Sequence, residues 1–333
     1  MFDQEHFGAC IHLATLLANA GEQQKAAKYF KHALKLDKTS IPANFGLGKT
    51  LHALTNNVDA CKPYYEYVIE HDASHYKAYC QLGIVYLEKM ELEKSAECLK
   101  KCLGLNPKHV LGLVSMGNLL FETGHSKHAA KYHQQALKYN PKEIQALIGL
   151  GNALYDMGEP EKAIEYYKHA LKQDAELADV HYNLGNALYL LNKTEPAISH
   201  YDQAIKLNPK KSESYYNLGN AYCVKQNFES AIENYKKAIE LDSYNAPAFY
   251  NLGNAYYMLA QYDKSITSYQ MALKLNPDSA ECHFNIASAY NDKGSFPEAQ
   301  MHFETALKFD GNNAETHYEL GLLHEKKKDA DSL

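Results

Sequence analysis

The chain contains no tryptophan and no arginine, so all 34 of its basic residues are lysine. Without guanidinium it lacks the planar, two-pronged donor suited to phosphates and carboxylates. Aspartate and glutamate number 40, which leaves a formal net charge of -6. A nucleic-acid partner needs a basic track that neutralises phosphates, and this balance excludes one. No apolar run approaches the roughly 20 residues that a spanning helix needs, which argues against membrane insertion. The seven cysteines are odd in number and include no C-x-x-C pair. Cys98 and Cys102 stand four apart, too few for zinc without nearby partners. Reduced thiols point to an intracellular setting, the cytoplasm first, with a cilium or another cytoskeletal assembly as the alternative. Near the N-terminus, ACIHLATLLANA is apolar like a secretory signal, but the preceding MFDQEH is acidic where a signal is basic, so the stretch reads as helix.

Catalytic signatures are missing too. There is no H-E-x-x-H, no G-x-S-x-G and no Gly-rich dinucleotide loop on a strand. Gly46-Leu47-Gly48-Lys49-Thr50 imitates a phosphate loop, yet Ala43 stands where that loop needs glycine, and the segment reads as helix. His125 and His128 flank a turn, and Asn192-Lys193-Thr194 is a chance glycosylation match. No catalytic residue, cofactor or metal ion is expected, and the chain reads as a non-enzyme.

What is present is a repeat. HYNLGNALY from His181, YYNLGNAYC from Tyr215, FYNLGNAYY from Phe249 and HFNIASAYN from His283 align at a spacing of 34 residues. The register extends backwards through LIGLGNALY, LVSMGNLLF and AYCQLGIVY. Nine repeats span roughly 7–40, 41–75, 76–109, 110–143, 144–177, 178–211, 212–245, 246–279 and 280–313, with a partial tenth at 314–333. They form one continuous array over 1–333. The second repeat carries an extra residue, which the pattern places between 60 and 64 beside Pro63, with a distortion at the start of its second helix.

Each unit reads as two helices. A Gly or Ala recurs in the first helix (Ala14, Gly48, Gly83, Gly117, Gly151, Gly185, Gly219, Gly253, Ala287, Gly321). Glycine inside a helix costs about 1 kcal/mol relative to alanine, so its recurrence marks a close helix crossing. In the second helix, small residues such as Ala26, Ala60, Ala129 and Ala163 are followed by an aromatic: Phe30, Tyr132, Tyr167, Tyr201, Tyr235, Tyr269 or Phe303. Asn-Pro steps at Pro107, Pro141, Pro209 and Pro277 stop the second helices.

These features resemble the tetratricopeptide repeat family over almost the whole chain. The resemblance implies an all-α, right-handed superhelical solenoid of antiparallel helix pairs, with first helices lining a concave groove. It implies a non-enzymatic scaffold or adaptor whose partners are proteins, held as extended peptides or as subunits of a larger assembly. The NLGN openings are also similar to the superhelix of the O-linked N-acetylglucosamine transferases, without a catalytic region. The alternative is therefore the substrate-recognition arm of a larger enzyme.

The groove is the candidate site. Asn183, Asn217, Asn251 and Asn285 form one ladder, and Asn118, Asn152, Asn186, Asn220 and Asn254 a second one three residues on. An amide offers both donors and an acceptor to a peptide backbone, or to a neighbouring helix, and both readings stay open. Tyr182, Tyr216, Tyr250 and Phe284, with Tyr189 and Tyr257 a turn later, add broad contact area. His12, Lys49, His52 and Lys77 lie toward one end, and Asp156, Asp179, Glu213, Glu281, Asp292, Glu315, Glu319 and Glu325 toward the other. A partner basic over the C-terminal half is expected. Some members grip chaperone C-terminal tails with groove lysines; here those places hold Ile11, Phe45, Cys80, Val114, Ile148 and Tyr182, so that binding is not expected.

Overall fold

The computed structural model describes the backbone of residues 2–55 and 58–331, and side chains within 7–55 and 58–326. The acidic leader MFDQEH and the last residues of the partial tenth repeat lie outside the described side chains. Among the described residues there are helices and turns and no strand.

Two compact units divide at Gln173 and Asp174. The first holds five helix pairs: α1 (Phe2–Asn19) with α2 (Gln23–Leu36), α3 (Ile41–Thr55) with α4 (Val58–His71), and α5 (Tyr76–Glu88) with α6 (Leu92–Leu105). Then come α7 (Val110–Glu122) with α8 (Ser126–Tyr139), and α9 (Ile144–Asp156) with α10 (Pro160–Gln173). The second unit holds α11 (Ala178–Leu190) with α12 (Thr194–Leu207), and α13 (Ser212–Val224) with α14 (Phe228–Leu241). It continues with α15 (Ala246–Met258) and α16 (Tyr262–Leu275), α17 (Ala280–Lys293) and α18 (Phe296–Phe309), and finally α19 (Ala314–Asp331). Within each unit a second helix packs on the next first helix. First helices also touch their successors: α5, α7 and α9 in one unit, α11, α13, α15 and α17 in the other. They therefore form a shared face.

The recurrent glycines act as the sequence suggests. A Cβ at Gly151, Gly185 or Gly219 would meet the ring of Tyr167, Tyr201 or Tyr235 at 2.6 Å, so only glycine lets the phenol of the second helix lie flat across the first. Those three rings are almost wholly buried. Leu99 fills this place in the third repeat, and His133 in the fourth. Tyr132, which the pattern favours there, is only half-buried. The second repeat needs correction as well. Helix α4 runs unbroken through Pro63, and Cys61, Tyr65 and Val68 are its buried residues, while Ala60 is not. The extra residue thus lies between Gly48 and Val58, before the second helix rather than inside it. No helix among the described residues is long and apolar enough to cross a membrane.

Candidate functional site

The two asparagine ladders are one hydrogen-bonded structure. Asn186 Oδ1 accepts from the Tyr201 hydroxyl at 2.9 Å and from Asn217 Nδ2 at 2.9 Å. The same amide of Asn217 donates to the Tyr182 hydroxyl at 3.1 Å. One repeat later, Asn220 Oδ1 accepts from Tyr235 at 2.8 Å and from Asn251 at 2.9 Å, while Asn251 also donates to Tyr216 at 3.2 Å. Next, Asn254 Oδ1 accepts from Tyr269 at 2.6 Å and Asn285 donates to Tyr250 at 2.8 Å. Each rung joins three elements: the carbonyl of one first helix, the phenol of its second helix, and the amide of the following first helix. Both lone pairs of each carbonyl are used. Burial pushes the pKa of the Tyr201-like phenols Tyr167, Tyr235 and Tyr269 upward, so they stay protonated and donate.

The sequence-predicted asparagines and aromatics from Tyr182 to Asn285 are half-buried, with Asn183 on the first helix of their unit, while Glu213 and Glu281 are exposed. Tyr250 donates in turn to Glu281 and Tyr257 to Asp292, each at 2.5 Å. Phe284 meets Phe303 edge-on at 5.6 Å between centroids. Tyr189 is half-buried, and burial raises its pKa. Lys211 lies 4.1 Å above the Tyr182 ring and pairs with Asp179 at 2.6 Å. Sequence reasoning missed a row of exposed apolar residues beside the ladder: Leu190, Val224 and Met258, one at the end of each of three successive first helices. Their 34-residue spacing was visible, but exposure of an apolar residue is not a sequence property.

In the first unit the ladder is partial. Asn152 accepts from Tyr167 at 2.9 Å. In the second repeat Lys49 replaces the asparagine, and the Tyr65 hydroxyl is buried without a partner. In the fourth, Asn118 faces His133 instead of a phenol, and Gly149 replaces the next amide. Among the described residues, three cavities on the first-helix face include positions where a rung is incomplete. One of about 590 Å³ lies over Phe30 and Gly46, with Lys49 and Lys77 on its wall. A second of about 470 Å³ lies over His133 and Gly149. The third, about 420 Å³, is lined by Ser288, Asp292, Glu315 and Glu319. Acidic side chains of the expected C-terminal group thus converge on one cavity, and lysines on another.

Among the described residues, one cluster has metal-ligand chemistry. Cys80 Sγ, Cys102 Sγ and His109 Nδ1 lie within 4.8 Å of one another, the thiols buried. Cys102 and His109 are 3.5 Å apart, and the neighbouring Cys80 thiol and the imidazole lower the Cys102 pKa. The same His109 nitrogen caps α7 by accepting from the Gly112 N–H at 3.2 Å. The cluster joins α5, α6 and the start of α7, and it brings Cys102 together with Cys80 and His109 rather than with Cys98.

With the geometry in hand, the chain can be set beside known proteins. A family model described as TPR repeat matches residues 151–192, 185–223, 219–259 and 287–328. Two models described as tetratricopeptide repeat match 246–279, and 7–40 with 76–109. Anaphase-promoting complex subunit CDC16 of Saccharomyces cerevisiae is 32% identical over 103 residues, which are 29% of this chain and 12% of that protein. The crystal structure of the APC/C hetero-tetramer Cut9-Hcn1 matches 90% of this chain and 58% of its own at 20% identity, with a TM-score of 0.57. That of YrrB, described as a TPR protein with an unusual peptide-binding site, matches 60% of this chain and 99% of its own at 20% identity, TM-score 0.53. At that identity the two structures show a common fold.

Proposed function

The chain belongs to the tetratricopeptide repeat family, and from that premise we propose that it is a protein-binding scaffold that holds a partner along its first-helix face. The observation that carries this reading is the row of Leu190, Val224 and Met258. These side chains are 55%, 57% and 60% exposed, regularly spaced, and flanked by the ladder. Exposed apolar groups beside directional polar groups are the make-up of a recognition surface. The ladder's part is to fix this face: with both carbonyl lone pairs used, the amides position the surface more than they offer it. The carboxylates of Asp292, Glu315 and Glu319 around one cavity favour a partner segment that is basic there. The similarity to an anaphase-promoting complex subunit supports a place in a multi-subunit assembly. No catalytic step is part of this reading.

The test is partner capture with the wild-type chain and a Leu190→Ser/Val224→Ser/Met258→Ser variant. Because the three side chains are exposed, the variant should keep its thermal midpoint, with stability within about 0.5 kcal/mol per site. It should lose the partners retained by the wild type. A Glu315→Lys/Glu319→Lys variant should bind more weakly, with a smaller loss of affinity on adding salt. Undiminished capture of every partner by the apolar triple variant would refute the scaffold face.

A further inference from the structure

The fourth repeat has the components of a rung except its donors. Asn118 occupies the carbonyl position, but the phenol is replaced by His133 and the following amide by Gly149. Asn118 therefore has neither of the hydrogen bonds that Asn186 and Asn220 accept. His133 is fully buried, and both of its ring nitrogens are without a partner. An unmade hydrogen bond on a buried polar group costs about 1–3 kcal/mol, and here the Asn118 carbonyl and the unprotonated nitrogen of His133 are acceptors in want of donors. The imidazole edge lies where a Cβ at Gly149 would be, so no side chain separates it from the cavity above.

That cavity, about 470 Å³, has a definite chemistry. Its polar rim carries the carboxylates of Glu88 and Glu122, and no lysine lines it. Its walls are Leu87, Met90, Phe121 and Ile148. Anionic groups are excluded by the two carboxylates. A purely apolar side chain would leave Asn118 and His133 unsatisfied. We propose that this incomplete rung is a pocket for one arginine side chain of a partner peptide, whose guanidinium supplies the donors that the phenol and the second amide supply in the other rungs. This rests on the reading of the chain as a protein-binding scaffold. A guanidinium carries five N–H donors and no acceptor, which suits the Asn118 carbonyl, the unprotonated nitrogen of His133 and the carboxylates of Glu88 and Glu122, while the amides of Gln145 and Asn152 complete the lining. Its methylene stem packs against the apolar walls while its charge meets Glu122. Burial keeps the His133 imidazole neutral near pH 7, with its pKa down at about 4, so it accepts and does not repel the cation. Glu88 is also held by His52 at 3.0 Å, which places its carboxylate at the mouth.

The experiment is an NMR titration of the whole chain with N-acetyl-arginine methylamide, following the His133 imidazole. N-acetyl-citrulline methylamide, similar in shape and uncharged, and N-acetyl-glutamate methylamide serve as controls. The arginine probe should saturate with shifts confined to α5, α7, α8 and α9, and the controls should not bind. Glu122→Gln should weaken binding by about tenfold, the loss of one charge-assisted hydrogen bond. A His133→Tyr/Gly149→Asn variant rebuilds the rung and should abolish binding; should it fail to fold, Glu122→Gln still decides. Equal shifts with citrulline or glutamate, or full affinity in Glu122→Gln, overturn the pocket. If the probe fails while the apolar triple variant still loses its partners, the arginine pocket alone is wrong and the scaffold reading stands.

Discussion

At position 133 an imidazole stands where other repeats put a phenol, and its burial has a consequence for acid stability. Desolvation holds the folded pKa at about 4 against an ordinary 6.5. The unfolded chain therefore takes up a proton below pH 6.5 that the folded chain refuses until about pH 4. Stability from this group is complete above pH 6.5 and is lost as pH falls toward 4, by about 3 kcal/mol at the limit. His302 in the second unit behaves in the same sense, through burial first and the neighbouring His283 second. Thermal midpoints at pH 7.5 and pH 5 should thus differ more in the wild type than in His133→Tyr. Identical pH dependence would mean that His133 is not a buried neutral base. The asparagine positions at this scale were legible because they repeat. Their hydrogen bonds were not, since the phenol and the second amide come from 15 and 31 residues away. The pattern also chose Tyr132 over His133, because an aromatic was the expected type.

Among elements, the described turns between the two helices of a repeat share one backbone conformation while their residues differ. Gly21, Gly124, Gly158 and Gly294 take positive φ there, and so do Met90, Asn192, Gln226 and Ala260, at φ between 54 and 58°. All eight occupy one place in the repeat. A side chain in this left-handed region costs about 1–2 kcal/mol, less for asparagine, so three of the turns are held by their helices against local preference. Ala260→Gly should raise stability by about 0.5–1 kcal/mol after the larger unfolded-state entropy of glycine is subtracted. Gly158→Ala should lower it by a similar amount, and urea unfolding would measure both. An Ala260→Gly variant no more stable than wild type would show the turn to be unstrained. The helices themselves were readable from period, from the Asn-Pro stops and from the small-residue spacing. The insertion was misplaced because Ala60 satisfies the small-residue pattern as well as Cys61 does, and only burial chooses between them.

For the chain as a whole, the 34-residue period made the architecture legible, whereas the cavities depend on what two neighbouring repeats lack together. Each rung ties a repeat to the next and to no other, so the stability of a unit should be a sum of local terms. Asn217 shows what this implies. Its amide donates to Tyr182 and to Asn186 across the boundary between consecutive repeats. Asn217→Ala removes both bonds, while Tyr201 still serves the Asn186 carbonyl. The loss should be about 1–2 kcal/mol, and it should appear where the rung acts. Hydrogen exchange should therefore quicken in α11 to α14 and remain as in the wild type in α17 and α18. Asn285 donates at the other end of the same unit, to Tyr250 at 2.8 Å and more weakly to Asn254 at 3.4 Å. An Asn217→Ala/Asn285→Ala double variant should then lose the sum of the two single losses within about 0.5 kcal/mol, since the sites share no partner. Exchange that quickens evenly from α11 to α18 in the single variant would instead show that the unit opens as one cooperative body. In that case the ladder would transmit strain along the face rather than pin each repeat to its neighbour.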